Sequence, residues 1–200
     1  MLRSTFDKLV SYVGFLIAAL LIVVSGLAFW GYTFANGTVH DQLAAQKITM
    51  PVAAAMAGLP DTDKAFLMPF AGQPLDNAPA AKAYADHYIQ AHMNAAAGGK
   101  TYAEISTVCN TAKKTDPSMA QEATKTACDL RETLFMGDTL RSMLLTAYAF
   151  GTIGTIALWG FIATLVAGLG MLILSVLGLS HAKKAGDAVV GGTVGAQPKN

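Results

Sequence analysis

The feature that most constrains this chain is a long stretch without charge. Ser142 to Ala182, forty-one residues, contains no Lys, Arg, Asp or Glu and lies between Arg141 and the pair Lys183 and Lys184. The hydrocarbon core of a bilayer is about 30 Å thick and takes roughly 20 apolar residues as a helix, so the stretch is about twice the length one crossing needs. A second uncharged run, Leu9 to His40, lies near the other end. Charged residues make up 14% of the chain, where about 25% is usual in soluble domains, and the deficit sits in these two runs. The class this implies is an integral membrane protein of the cell membrane.

Charge distribution sets the expected topology. Arg3, Lys8, Lys183, Lys184 and Lys199 against Asp7 and Asp187 make the two ends net +3, while nine basic and eleven acidic residues make the middle net −2. Positive flanks stay cytoplasmic, so both termini are expected inside and the middle outside. An overall charge of +1 gives no reason to expect a nucleic-acid partner.

The resulting fold class is all-α, two transmembrane helices flanking a small extracytoplasmic helical domain. Residues 1–8 form a cytoplasmic leader and 9–34 the first transmembrane helix. That run is longer than the roughly 7 to 15 residues of a signal-peptide core, and it closes on Trp30, Tyr32 and Phe34, an interfacial belt rather than a small-residue cleavage site. Residues 35–158 form the extracytoplasmic domain, 159–181 the second transmembrane helix, and 182–200, with Gly191, Gly192, Gly195 and Pro198, a disordered cytoplasmic tail. The excess in the long stretch is assigned to one helix that begins outside. A two-span hairpin needs a polar or Pro/Gly-rich turn, and the middle holds Trp159, Gly160, Phe161 and Ile162 instead. Ser142 to Leu158 is then expected to be covered by its neighbours in the outer domain, with Trp159 at the outer interface.

Within the domain, Thr38 to about Lys47 continues the first helix, and Pro51, Pro60, Pro69 and Pro74 break the next segment into turns. Asn77 with Pro79 opens a helix that Gly98 and Gly99 stop, its buried face read as Tyr84, Tyr88, Ala91 and Ala95. Thr101 and Glu104 form a capping box for a helix carrying Ile105, Val108, Cys109 and Ala112. Asp116 and Pro117 read as the cap and first residue of a helix to about Met136, burying Met119, Ala123, Ala127, Leu130 and Leu134. Gly137 then interrupts and Asp138 recaps.

Asp41 to Ile48 (DQLAAQKI), Phe70 to Gln73 (FAGQ), Ala81 to Ile89 (AKAYADHYI), Gly98 to Ser106 (GGKTYAEIS) and Thr133 to Arg141 (TLFMGDTLR) together resemble a group of actinobacterial two-span membrane proteins of unknown function. The group sometimes carries the automatic name aromatic ring-opening dioxygenase, which implies a non-haem iron held by two His and a carboxylate. In that group the stretch between Ser106 and Thr133 is usually shorter and lacks a cysteine pair, so Cys109 and Cys128 belong to a local elaboration.

The residues themselves offer no catalytic set. His87 and His92, five apart on one helix, diverge by about 140° and cannot share an ion; His40 and His181 add no ligand spacing. Both His87→Ala and His92→Ala are therefore expected to be nearly neutral, within about ±0.5 kcal/mol. Gly98-Gly99-Lys100-Thr101 lacks the upstream glycine of a phosphate loop and is a helix stop followed by a cap. Tyr84 and Tyr88 are read as core packing rather than as a ligand groove. No catalytic residue, cofactor or metal ligand is assigned.

Two features remain. Cys109 and Cys128, the only cysteines, fall in the segment assigned outside and are expected to form a disulfide. With a turn near Lys114 they would be out of register, so the helix opened by Thr101 is expected to end near Cys109, with Asn110 to Asp116 extended. Gly160, Thr164 and Gly168 form a small-residue ridge at i, i+4 and i+8, facing Gly14 and Ala18 of the first helix. The expected function is a non-enzymatic accessory or scaffold subunit of a larger membrane assembly, its partners the lipid bilayer and another membrane protein or itself. Two alternatives are a ligand-sensing outer domain acting through a partner and a metal-dependent dioxygenase.

Overall fold

The computed structural model of the chain describes residues 3–184. Every regular element among them is helical. Two long helices, α1 (Arg3–Ala45) and α6 (Glu122–Lys184), are long and apolar enough to cross a membrane. Between them come α2 (Asp61–Leu67), α3 (Ala78–Ala83), α4 (Gln90–Ala97) and α5 (Tyr102–Thr115), with 3₁₀ turns at Ala53–Met56 and Met68–Phe70 and a π-helical turn at Tyr84–Ile89 joining α3 to α4. Arg3 to Lys8 of the predicted leader already belongs to α1. The predicted tail from 182 is helical as far as Lys184, and the remainder of it lies outside the described residues.

Two compact units divide the chain. One comprises the segments up to Tyr32 and from Thr155 onward; the other is Thr33–Gly154. The outer domain predicted over 35–158 thus differs from the second unit by a few residues at each end, because neither long helix breaks where the composition changes.

In the terminal unit α1 and α6 run antiparallel and meet along small side chains. A Cβ on Gly14 would overlap the Ser175 hydroxyl, one on Gly178 the Ser11 hydroxyl, and one on Gly168 would come within 3.2 Å of Ile22 and 3.3 Å of Leu21. Ala18, Ser11, Ser25 and Ser175 are buried in this seam. The spacing 11, 14, 18, 25 on one helix and 161, 164, 168, 171, 175, 178 on the other alternates three and four, the heptad step that keeps two helices in contact. This corrects the predicted ridge. Gly168 lies in the seam, but nothing comes within 4 Å of a Cβ on Gly160, because an i, i+4, i+8 row drifts off a surface that follows 3.5 residues per turn.

The second unit has a core of its own. Met50, Met56, Leu67, Leu75 and Leu134 are fully buried, among Ala80, Ala81, Ala85, Ile89 and Met93. The proline-rich segment is tied in by backbone bonds, Met50 N–H to the Gln73 carbonyl at 2.9 Å and Leu75 N–H to Ile48 at 2.9 Å. Asn77 caps α3 by accepting from Ala80 N–H, and Gly98 ends α4 in the left-handed region at φ 59°. Across α3, the π turn and α4 the buried row is Ala81, Ala85, Ile89, Met93 and Ala97, every fourth residue, since the wider π turn resets the phase. The predicted face is corrected accordingly: Tyr84 and Tyr88 are half-buried and Ala95 is exposed.

α6 begins later and runs further than expected. Asp116 is the C-cap of α5, its N–H bonded to the Ala112 carbonyl, and its carboxylate accepts from Ala120 and Gln121 N–H at 3.0 and 2.8 Å. The Asp-Pro pair therefore shapes a loop, and the helix starts at Glu122. Gly137 does not interrupt it. A Cβ there would meet the Met93 side chain at 2.5 Å, so this glycine permits close packing. Ser142 to Leu158 is also less covered than expected: Leu144 is buried, but Met143, Phe150, Ile153 and Ile156 are exposed.

Candidate functional site

A concave surface in the second unit lies between the last turns of α1 and the facing part of α6. This groove of about 610 Å³ is lined on one side by Phe34, Thr38, Gln42 and Gln46 and on the other by Leu140, Met143, Ala147 and Phe150; none of its lining residues carries a charge. Met136, Leu140, Met143, Ala147 and Phe150 follow one another at steps of four and three, one stripe along α6. Met143 is 66% exposed, Phe34 60%, Met136 59% and Phe150 54%. An apolar stripe on a helix ordinarily faces a core, and here its outer half faces none of the described residues.

Beside the groove a polar network locks α6 to the π turn. Arg141 donates to Asp86 at 3.0 Å and to the Ala85 carbonyl at 3.1 Å, and Lys82 donates to the other Asp86 oxygen while standing 5.3 Å from the Tyr148 ring centroid. The widened turn makes this possible, because the Ala85 carbonyl pairs five residues on with Gln90 N–H and stays open to Arg141. Burial opposes ionisation of Asp86, yet the hydrogen bonds and charges of Lys82 and Arg141 prevail and hold its carboxyl below the ordinary value. The Asp86 hydrogen bond raises Lys82, and burial raises the Tyr84 phenol.

His87, His92 and His40 are individually occupied. His87 Nδ1 lies 2.8 Å from Asp63 Oδ1 with both side chains 22% exposed, and its ring stacks on Phe66 at 4.1 Å. It is a packed, paired residue and not the neutral surface position expected from the sequence. His92 Nδ1 contacts the Tyr88 carbonyl at 2.7 Å, and His40 the Asp76 carbonyl at 3.2 Å. Among the described residues no three of His, Cys, Asp and Glu come together as a metal-binding group. Tyr84 and Tyr88 stack at 4.9 Å and pack against the core.

The sulfurs of Cys109 and Cys128 are bonded, with the two Cα atoms 4.8 Å apart. The geometry differs from the one expected: α5 stays helical to Thr115, so Asn110 to Asp116 is not extended. Cys109 lies six residues before the end of α5 and Cys128 six after the start of α6, which levels them across the six-residue loop. Placing the turn at Lys114 put the two out of register; its centre is near Ser118.

The chain matches no family model, no curated protein and no solved structure. The functional reading therefore rests on these surfaces. Sequence reasoning missed the Arg141 network, because its partners lie 55 and 56 residues away, and it missed the groove, because covered and uncovered apolar stripes have the same period.

Proposed function

We propose that the chain is a two-span membrane protein, both termini cytoplasmic, whose outer helical domain docks a helix of another membrane protein as the accessory subunit of an assembly. The terminal unit supports the span. The register that sets Gly14 against Ser175 and Ser11 against Gly178 brings Trp159 level with Trp30, both about two-thirds exposed. Trp30 is 22 residues from Lys8 and Trp159 is 24 from Lys183, about 33 and 36 Å of helix, which suits a bilayer with one aromatic and one basic boundary. The likeness of the five quoted segments to the actinobacterial two-span group is part of the same reading.

The observation that carries the docking role is the uncharged apolar groove. The stripe from Met136 to Phe150, which lines the groove from Leu140 onward, covers 15 residues, about 21 Å or four turns, the length of an ordinary helix. Interface cores are depleted of charge as this lining is. A concave surface favours a foreign helix over a second copy, since a two-fold contact would set groove against groove and leave a void.

A photo-crosslinking residue at Met143 tests this in membranes, with native mass spectrometry of the detergent-extracted complex. The expected product is a stoichiometric adduct with a membrane protein, lost when Leu140→Glu or Phe150→Glu is added. A crosslink only to a second copy, or a small molecule retained in the groove, would overturn the docking role; the latter favours the ligand-sensing alternative. Cysteines introduced at the exposed positions Ala96 and Ser118 should react with an impermeant reagent in intact cells while one at Ala188 stays protected, and labelling of Ala188 from outside would refute the topology.

A further inference from the structure

The terminal unit holds a second groove, of about 530 Å³, whose walls include Phe6, Val10, Met171 and Leu174 and whose polar members include Asp7 and His181. Gly14 and Gly178 line it as well, where they let the two helices meet at its floor.

The unexplained group is Asp7. Its Oδ2 is buried and has no hydrogen-bond partner among the described residues. A buried carboxylate oxygen is ordinarily answered by a donor, because the water it gave up has to be replaced. The hydroxyls in the groove do not answer it: Ser11 donates to the backbone carbonyl of Asp7 at 2.8 Å and Ser175 to that of Met171 at 2.8 Å, and each hydroxyl has a single proton. Nor does the helix dipole suffice, since Asp7 lies beyond the first turn of α1, where that effect fades. Among the described residues no side chain donates to this oxygen, and apolar walls lie beside the acid.

We propose that this groove seats a phospholipid whose head group carries a primary amine, of the phosphatidylethanolamine type. The ammonium pairs with the Asp7 carboxylate, His181 offers a ring N–H to the phosphate, and an acyl chain follows Val10, Gly14 and Met171 into the hydrocarbon. This inference rests on the membrane-spanning part of the reading above and is independent of the outer groove. A trimethylammonium head group has no N–H to donate, and an anionic glycerol head group meets the Asp7 charge, so both should be discriminated against.

The test is native mass spectrometry of the full chain extracted from vesicles of equimolar phosphatidylethanolamine, phosphatidylcholine and phosphatidylglycerol. Wild type should retain the ethanolamine lipid roughly tenfold over either other lipid, a preference of the size one charge-assisted hydrogen bond gives. Asp7→Asn should reduce the preference to near parity and Asp7→Glu should keep it, with circular dichroism showing both variants folded. Equal retention by wild type, an undiminished preference in Asp7→Asn, or a polypeptide crosslinked at Asp7 in place of lipid would overturn the proposal. Carbonate washing of the membranes separates the two readings: release of the chain refutes the span itself, whereas retention without lipid preference refutes only the lipid site.

Discussion

Removing the Cys109–Cys128 bridge should loosen α5 while leaving the rest of the second unit folded. Apart from the bridge, α5 is held by little. Ile105 is its one other buried side chain, contributing about 1.5 to 3 kcal/mol. The Tyr102–Phe135 ring pair at 5.9 Å adds about 0.5 to 1.5 kcal/mol, and the exposed Arg131–Asn110 hydrogen bond at 3.3 Å about 0.5 kcal/mol. An isolated helix of this length is marginal in water. The bridge joins residues 19 apart, and closing such a loop contributes about 3 kcal/mol, as much as the largest of these contributions. At a factor of ten per 1.4 kcal/mol, the double variant C109A/C128A should lose roughly a hundredfold of amide protection in α5. Alanine is the right replacement, because both positions are buried and a serine hydroxyl there would need a partner. Hydrogen exchange read by mass spectrometry on the 102–115 peptide, against peptides from α3 and α4, measures this directly. Unchanged protection in that peptide would refute the reasoning, and two freely alkylated cysteines in unreduced native protein would refute the bridge.

Asp86→Asn should destabilise the second unit by about 1.5 kcal/mol at pH 7, since it removes the acceptor that Lys82 and Arg141 share. The folded pKa of Asp86 lies below its ordinary 3.8, so the stabilisation is present above that value and lost as pH falls through the lowered one; wild type and variant should unfold alike at pH 2. Gly151→Ala should destabilise by about 1 to 3 kcal/mol despite better helix propensity, because the new methyl overlaps the backbone-anchored methyl of Ala78. Gly37→Ala, where nothing lies within 4 Å, should instead gain up to about 1 kcal/mol, and thermal melts of the two variants in one detergent compare them. His87→Ala should cost about 1 kcal/mol by chemical denaturation, through the lost Asp63 bond and Phe66 stacking; a change within a few tenths would show the pair to be idle.

What was legible in the sequence was local chemistry with a short range. Asn77, Thr101 with Glu104, and Gly98 act within one turn of themselves, and the structure uses each of them at the helix end where it was read. The two uncharged runs were equally plain, because length and hydropathy need no partner to be recognised. Asp116 marks where this kind of reading fails. An aspartate before proline has the chemistry of a cap, but its carboxylate reaches the fourth and fifth N–H groups onward instead of the second or third. That difference moved the turn by four to five residues and altered the expected path between the cysteines.

Glycine misled in the opposite direction. Gly137 and Gly160 both looked like punctuation or contact positions by type, yet one is packed against Met93 inside an unbroken helix and the other faces open space. Whether a glycine breaks a helix, admits a neighbour or does neither depends on what the partner element presents, and that is set by a register between residues more than a hundred positions apart. The same holds for the apolar stripe of α6. Two apolar rows lie side by side on that helix with the same period, one through Leu134 and Leu144 that is covered and one through Met143 and Phe150 that is open. Hydrophobic period states that a face requires burial; which element of this chain buries it is a tertiary fact. Along this groove no described element does so, and from that open face the docking role is proposed.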